Sequence, residues 1–370
     1  MRGIFFFLVS ATMLFSGEYL TNKSCKECHE EIYNEYQRSW HAKSYHNDIL
    51  HKKVADAVSD TQYECASCHM PNANTQALAT DKTLLAKKTP QQQDAIGCMY
   101  CHQIGYVQEH HKQNKIFLAK KPQGYKVAMF GSLQDPDSSD KHEMAHSPIY
   151  DKYACSGCHS HKQNSHGVEV FRAMQTVDGS RSCIKCHMPY LLGGVEKTNK
   201  KGRTKHRSHR FLGIHSKEMA AKALEFGVKK KDDFLVVSVE NKMDHPLIIH
   251  PARAKYLHIM LYKDDQLLWQ NYQKDPKEDT QGYFHVDFVD QNNHLVAIPA
   301  FAYAKGEQNN ITPQQTKQLR YKVADLDKAN KVVIQYYVLL ANPTCAASTD
   351  LKDPSLVTPT MVQEITFTLH

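Results

Sequence analysis

The sequence lacks any hydrophobic run long enough to cross a lipid bilayer. Its longest apolar stretch, residues 4–15, holds about a dozen residues, whereas a spanning helix needs about 20. A disordered composition is also excluded, because 23% of the residues are charged and 41% are hydrophobic. We therefore expect a folded chain without a transmembrane span in its mature form. Its 370 residues suffice for two domains.

The N-terminus has the pattern of a secretory signal peptide. Arg2 supplies a positive charge, the short apolar run follows it, and Ser16 and Gly17 supply small residues for cleavage. An uncleaved anchor is the alternative, which the shortness of the apolar run disfavours. We predict a signal peptide over residues 1–17 and export to the bacterial periplasm. An extracellular or membrane-associated location is possible after export.

The chain has almost no cysteine outside one repeated motif: of its eleven cysteines, only Cys345 does not belong to a copy of that motif. The other ten form five copies of Cys-x-x-Cys-His: Cys25/Cys28/His29, Cys65/Cys68/His69, Cys98/Cys101/His102, Cys155/Cys158/His159 and Cys183/Cys186/His187. The cysteine and histidine content of the chain would give roughly 0.02 such matches by chance. A structural zinc ion would take two cysteine pairs as its four ligands, so five pairs would leave one pair without a zinc ion. Zinc binding would also not explain why a histidine follows every pair. A disulfide framework gives no reason for the constant spacing either.

The motif spacing fits covalent haem attachment. Two cysteines three residues apart can reach the two vinyl groups on one edge of a haem, and the next residue places a histidine under the ring. The sequence therefore predicts five covalently bound haem c groups. Their proximal iron ligands would be the five motif histidines, His29, His69, His102, His159 and His187.

The formal charge of +7 does not indicate a nucleic-acid partner. Haem propionates add negative charge, so the mature protein with five oxidised haems would carry a net charge of about +1. The richest basic run, Lys197 to Arg210, is more often a solvated face than a docking surface for an acidic partner.

The arrangement of the motifs predicts an α+β protein of two parts. Five haem motifs between Cys25 and His187 leave little room for a side-chain core, so residues 18–212 should form a pentahaem domain of short helices and loops packed around haem. Helices are predicted over 30–50, 54–60 and 168–175, and a loop over 112–138. Residues 213–370 should begin with a helix over 216–226 and continue as an antiparallel β-sandwich of immunoglobulin-like type. Its strands are predicted at 234–240, 255–263, 266–271, 283–289, 295–298, 316–323, 332–340 and 362–369.

The chain resembles bacterial multihaem cytochromes of the cytochrome c-552/c-554 type over nearly all of its mature length. The resemblance rests on WHA at 40–42, on CHMP at 68–71 and 186–189, on KHEMAHSPIYDKYACSGCH, on HRSHRFLG and on NKMDHPLIIHPARAKYLHIML. It implies haem c cofactors, electron transfer and a location outside the cytoplasm. Its redox partners would be other cytochromes or a quinol-oxidising membrane complex.

The resemblance also implies which histidines bind the irons from the opposite side. His41, His142 and His209 are the best distal candidates, and His146 or His206 could substitute for two of them. His245 is a weaker candidate, because Asp244 and His245 stand where the family has Gly-His. His46, His51, His110, His111, His161 and His166 also lie near haem motifs, but a surface or supporting position is the more common fate of such residues.

Two functions compete at this point. Ligation of each iron by two histidines closes both axial positions and suits an electron carrier. An oxidoreductase acting on a small nitrogen or sulfur compound would need one open iron. No motif carries lysine in place of its histidine, and this counts mildly against catalysis. A haem-based sensor is a third possibility, although no output domain is visible.

Overall fold

The computed structural model describes residues 19–119, 127–137, 139–173, 182–193 and 199–369. The predicted signal peptide, residues 1–17, lies outside these ranges. Within the described ranges, every helix is too short or too polar to cross a membrane.

The first half of the chain is built from short helices. They are α1 (Asn22–Lys26), α2 (Glu30–Arg38), α3 (Ile49–Val58), α4 (Ala66–His69), α5 (Thr75–Leu78), α6 (Pro90–Gln93), α7 (Cys98–His102), α8 (Ile149–Lys152), α9 (Ser156–His159) and α10 (Cys183–His187). Two 3-10 helices, Trp40–Ala42 and Lys82–Lys87, lie among them. Because most of these helices have only one or two turns, their stability must come from packing rather than from helix propensity.

Four two-stranded ladders separate the later helices of this half. They are β1 (Ile104–Gln108) with β2 (Lys115–Leu118), β3 (Ala128–Gly131) with β4 (Glu143–His146), β5 (His161–Gln163) with β6 (Glu169–Arg172), and β7 (Tyr190–Leu192) with β8 (Lys205–Arg207). The β3–β4 ladder is parallel and the other three are antiparallel.

The second half consists of antiparallel sheets. After helix α11 (Lys217–Ala221) come β9 (Leu224–Lys231), β10 (Phe234–Asn241), β11 (Ala254–Lys263), β12 (Gln266–Gln270), β13 (Tyr283–Val289), β14 (Leu295–Val296), β15 (Ala304–Asn309), β16 (Thr316–Lys322), β17 (Lys331–Leu339), α12 (Pro343–Ser348), α13 (Pro354–Val357) and β18 (Thr360–Thr368). One sheet has the order β16-β10-β9. The other has the order β14-β13-β11-β17-β18, with β12 added to β11 and β15 added to β13.

Alternating side chains of these strands form the largest core of the molecule. Residues such as Leu235, Val237, Leu257, Ile259 and Ile334 are almost fully buried in one continuous cluster. Two small clusters, around Tyr63 and around Tyr100, lie in the haem-motif half. This contrast agrees with the expectation that side chains alone do not form the core of the first half.

The predicted helix over 30–50 is interrupted. Helix α2 ends at Arg38, and the Ser39 side chain accepts a hydrogen bond from the Ala42 amide to begin a 3-10 turn. The Asp48 side chain then accepts from the His51 amide and begins α3, which runs to Val58. Local capping groups therefore divide one predicted helix into three pieces.

Other boundaries also differ from the prediction. The helix predicted over 168–175 is wrong for its described part, because residues 169–172 form β6 by pairing with β5, and residues 174 and 175 lie outside the described ranges. Strands β2 and β3 lie within the predicted loop 112–138. The helix predicted over 216–226 ends at Ala221, and its last residues begin β9.

The antiparallel character of the second half is confirmed, and all eight predicted strands are present, β13 with the predicted bounds and the other seven with shifted ends. Strands β9 and β15 were not predicted. Their lysines, glutamates and glutamine make both segments polar, so their pairing with β10 and β13 was not visible as a local pattern. The immunoglobulin-like type of the sandwich stays a prediction.

Candidate haem-binding sites

Each Cys-x-x-Cys-His motif folds as a single helical turn, and we number these turns as sites 1 to 5 in chain order. In site 1 the amide of His29 donates to the carbonyl of Cys25 at 2.9 Å. The corresponding bonds are 3.0 Å in site 2 and 2.9 Å in site 4. In sites 3 and 5 the motif itself is helix α7 or α10. The turn brings both cysteines and the histidine together, as attachment to one haem requires.

Four of the five motif histidines face a second histidine at a similar separation. The ring centres are 6.2 Å apart for His29 and His142, 5.9 Å for His159 and His41, 6.2 Å for His102 and His209, and 6.5 Å for His187 and His245. Two imidazoles that bind one metal ion from opposite sides, with bonds of about 2 Å each, have ring centres roughly 6 Å apart. The spacing of these four pairs therefore fits an iron between them.

Different elements deliver the four opposing histidines. His41 lies in the 3-10 turn that follows α2, and its carbonyl accepts from the Ile96 amide at 3.1 Å. His142 comes directly before β4, and His209 follows β8 by two residues. His245 lies beyond the end of β10, so the second half of the chain supplies the residue that faces site 5.

Backbone carbonyls fix the orientation of several of these rings. The Nδ1 atom of His102 lies 2.6 Å from the carbonyl of Phe130, and that of His209 lies 2.8 Å from the carbonyl of Arg207. His245 Nδ1 lies 2.9 Å from the carbonyl of Pro246, and His187 Nδ1 bonds the carbonyl of Leu212. A ring that donates from Nδ1 presents an unprotonated Nε2 to a metal, which is the usual arrangement of metal-binding histidines.

The surroundings also keep these histidines neutral. Burial lowers the pKa of His41 and of His209 to about 3, and it lowers the pKa of His245 to about 4. Burial likewise lowers the pKa of His29, His69, His102, His142 and His159. A metal binds only the neutral imidazole, so the rings are suited to ligation near pH 7.

Site 2 is built differently from the other four. His69 is paired with His51, but their ring centres are only 3.9 Å apart and the rings are within 18° of parallel. At this distance the two rings must lie face to face, which leaves no room for an iron between them. His51 Nε2 is 2.8 Å from the hydroxyl of the buried Tyr63. His159 and His250 also lie close enough to lower the pKa of His69, but among the described residues only His51 makes a ring contact with it.

An ion-pair cluster around Asp56 lies next to Tyr63, near site 2. Asp56 accepts a hydrogen bond from the hydroxyl of Tyr45 at 2.6 Å, pairs with Lys82 at 2.8 Å, and also pairs with Lys52. Tyr45 in turn packs edge-on against Tyr63 at 5.1 Å. Burial disfavours the charged carboxylate, but the bonds from Lys52, Lys82 and Tyr45 outweigh it and lower the pKa of Asp56 to about 2.

We expect Asp56→Asn to destabilise the protein by about 1 kcal/mol at pH 7, a value reduced because the carboxylate is partly exposed. The folded protein holds the proton more weakly than the unfolded chain does. This stabilisation is therefore complete above the unfolded pKa of about 4 and is lost as the pH falls toward 2. Urea unfolding at pH 7 and pH 3 measures the effect. The exposed Asp60→Asn is the control, and an equal loss in both variants would contradict the account.

A buried carboxylate, that of Glu35, holds the segment that carries His209. Glu35 of α2 accepts a hydrogen bond from the His209 amide at 2.8 Å. The Nε2 atom of His206 lies 3.4 Å from the same carboxylate, and Arg210 lies 3.9 Å from it. Helix α2 begins directly after His29, so Glu35 connects site 1 with the segment that faces site 3.

Contacts between cysteines of different motifs show which sites are neighbours. The thiols of Cys25 and Cys98 lie close enough for Cys98 to lower the pKa of Cys25, and the same holds for Cys158 acting on Cys68 and for Cys155 acting on Cys183. Cys101 of site 3 lies close enough to Cys155 and Cys158 to act on them electrostatically. The sites therefore follow the spatial order 1–3–4–5, and site 2 adjoins site 4.

The two ends of this order reach the surface. Cys28 of site 1 and Cys186 of site 5 are exposed, whereas the other eight motif cysteines are partly buried.

The structure brings some of the histidines named from the sequence to the sites and leaves others aside. His41, His142 and His209 each face a motif histidine. His146 instead lies 3.2 Å from the side chain of Gln134, and His206 bonds the carbonyl of Gly193. Neither of these two is paired with a motif histidine within the described residues.

Comparison with known proteins agrees with the motifs. Residues 24–103, which include sites 1 to 3, match the family described as cytochrome c554 and c-prime. The crystal structure of a penta-heme cytochrome c552 from Thermochromatium tepidum aligns with a TM-score of 0.72 at 20% identity, covering 94% of this chain and 98% of that one. The chain thus has the fold of that penta-heme protein.

Two further comparisons do not bear on the fold or the haem sites. A structure of superoxide reductase in the oxidized state aligns with 40% of this chain and 87% of its own length at 8% identity, with a TM-score of 0.19, too low to indicate a shared fold. No curated protein sequence matches significantly. The family match and the first structural match support the class that the sequence predicts, a multihaem c-type cytochrome.

Proposed function

We propose that this chain transfers electrons through five haem c groups in the periplasm. The observation that carries the proposal is the set of four histidine pairs, with ring centres 5.9 to 6.5 Å apart, each of which includes a motif histidine. A bound haem supplies reversible one-electron chemistry at its iron. Two neutral histidines per iron would close both axial positions and favour electron transfer over substrate binding.

The proposed ligand pairs follow from the ring geometry. They are His29 with His142, His159 with His41, His102 with His209, and His187 with His245. We propose His69 as the single histidine ligand at site 2. His146 and His206, which the sequence also offered, act as supporting residues in this assignment, because their hydrogen bonds hold them elsewhere.

The spatial order of the sites supports a route for electrons. Cysteine contacts link site 1 to site 3 and site 4 to site 5, and sites 3 and 4 are adjacent. Electrons would therefore pass along 1–3–4–5 between the two exposed ends, with site 2 as a branch on site 4. The partners would be other cytochromes or a quinol-oxidising membrane complex.

In this proposal residues 18–212 form the pentahaem domain and residues 213–370 form the β-sandwich domain. The second domain would act on the first through His245, which it presents to site 5. It also holds a partly buried Arg253 and a buried Lys255, which donate hydrogen bonds to the carbonyls of Leu340 and Leu247. Burial lowers the pKa of Lys255 to about 7. Haem propionates would supply a negatively charged partner for Lys255 and a further one for Arg253, on which Asp48 already acts.

Partial reduction tests the electron-transfer proposal. Mixing the oxidised protein with one electron equivalent of dithionite should give a single fast phase, because electrons that enter at any haem would redistribute over all connected haems. The distribution at the end of this phase should equal the one found by redox titration. Haems that fill independently, at rates set only by their exposure, would contradict the proposed route.

A second function is favoured by the unusual arrangement at site 2. Because His51 lies against the face of His69 rather than opposite it, the iron of a haem at site 2 would have an open position. An open iron could bind a small nitrogen or sulfur compound, with site 4 supplying electrons. Addition of nitrite, hydroxylamine or sulfite should then change the spectrum of one haem only. An unchanged spectrum with all three compounds would leave electron transfer as the sole function.

A further inference from the structure

The hairpin β7–β8 is attached directly to site 5. Strand β7 begins three residues after His187, and the Arg207 side chain of β8 lies 3.9 Å from the ring centre of Tyr190. The same guanidinium donates to the carbonyl of Met188 at 3.3 Å and to that of Ile184 at 3.5 Å. Arg207 therefore fixes the hairpin against the helix that carries Cys183 and Cys186.

The outer face of this hairpin is apolar at its centre. Tyr190 and Leu192 alternate along β7, and they are 55% and 79% exposed. Leu192 has the greatest exposure of the large hydrophobic side chains described in the structure. Cys186, which would carry one thioether of the site 5 haem, is exposed as well. A small apolar surface beside an exposed redox centre is the usual core of a transient electron-transfer interface.

The margin of this surface is positively charged. Lys205 pairs across the ladder with Leu192, Lys185 lies next to Cys186 in α10, and both lysines are exposed. Neither forms an ion pair with a described residue. In contrast, Lys201 and Arg203 pair with Asp135 and Asp137, so they contribute little net charge. The carboxylate of Asp244 lies close enough to Cys183 to act electrostatically on its thiol.

The opposite end of the route has a different charge. Around the exposed Cys28 of site 1 lie three exposed carboxylates and two exposed lysines, which are Glu27, Glu30, Glu31, Lys23 and Lys26. Lys26 is 3.9 Å from Glu30, so part of its charge is compensated. A negatively charged protein would therefore be attracted to site 5 in preference to site 1.

We propose that Lys185, Tyr190, Leu192, Lys205 and Arg207 form the docking surface for an acidic electron-transfer protein, which exchanges electrons with the haem of site 5. One electron passes between the two proteins without any bond being made or broken. The inference rests on the electron-transfer function proposed above. It adds the place of exchange and the charge of the partner.

The test measures the rate of reduction by an acidic redox protein. Flavodoxin hydroquinone serves as the probe, and stopped-flow spectroscopy follows reduction of the holoprotein at several salt concentrations. We expect the double variant Lys185→Glu/Lys205→Glu to lower the second-order rate constant at low salt about tenfold and to weaken its decrease with salt. The control Lys229→Glu/Lys231→Glu makes the same charge change on β9, and its rate constant should stay within about twofold of the wild type.

Two outcomes would overturn the docking surface. One is an equal effect of both double variants, which would show a response to net charge alone, and the other is no effect of either. Leu192→Ser provides an independent variant that leaves the charge of the surface unchanged, and it should also slow reduction by flavodoxin. If Leu192→Ser reacts at the wild-type rate, the apolar centre of the surface is excluded.

The same samples separate this inference from the function on which it rests. Reduction by dithionite with one electron equivalent reports redistribution among haems and does not need the docking surface. Normal redistribution with an unchanged flavodoxin rate would overturn the docking surface alone. Failed redistribution in the wild type would overturn the electron-transfer function itself.

Discussion

His209→Gly is expected to convert one haem, that of site 3, from low-spin to high-spin while the other haems keep their spin states. His209 lies opposite His102 with ring centres 6.2 Å apart, and its Nδ1 bonds the carbonyl of Arg207. Removing the ring would leave the iron with one strong-field axial ligand. Electron paramagnetic resonance of the oxidised holoprotein measures the change. Added imidazole should restore the low-spin signal by occupying the space that the side chain leaves.

The matched control for this prediction is His146→Gly. The sequence offers both residues as ligand candidates, but His146 lies beside Gln134 rather than a motif histidine. Its loss should therefore leave the spin states unchanged. A new high-spin haem in His146→Gly, together with an unchanged spectrum in His209→Gly, would contradict the ligand pairs proposed here.

The second large effect is expected from the double variant Cys155→Ser/Cys158→Ser. In the proposed assignment these residues attach the haem of site 4, and this site adjoins sites 2, 3 and 5. Pyridine haemochrome analysis should show the loss of one haem in five. Partial reduction should then become biphasic, because electrons that enter at site 5 would no longer reach sites 1 and 3 through close neighbours. The fast redistribution phase of the wild type should disappear.

Cys345→Ala is the control for loss of a cysteine. Cys345 belongs to no haem motif and is fully buried in a cluster that it shares with Leu50 and Leu351. Its replacement should preserve the haem count and the single fast phase. If Cys155→Ser/Cys158→Ser retained single-phase redistribution with four haems, the proposed route through site 4 would be wrong.

The residues proposed to attach haem could be recognised in the sequence because the chemistry of haem attachment requires a short local spacing. Five Cys-x-x-Cys-His motifs are visible without any knowledge of the fold. The strands of the second half were also predictable, because alternation such as that of β13 follows from one buried and one exposed face. The docking surface is different, since it depends on Leu192 and Lys205 meeting across a ladder.

The opposing histidines could be predicted only in part, because a distal ligand comes from a distant part of the chain. His245 faces His187 across 58 positions and the boundary between the two halves, and no spacing rule connects them. His51 shows that closeness in sequence does not predict a distal ligand either. It is close to site 2 in sequence, but Tyr63 holds it against the face of His69. Side-chain packing decides both cases, and packing is not written in a local pattern.

The central claim is that four haems are bound by two histidines each and that the haem of site 2 is not. Electron paramagnetic resonance of the oxidised holoprotein, with haem counted by pyridine haemochrome, tests it most directly. We expect five haems, four low-spin and one high-spin, with the high-spin signal unaffected by His51→Ala. Five low-spin haems would place a second ligand at site 2, and two or more high-spin haems would contradict the histidine pairs.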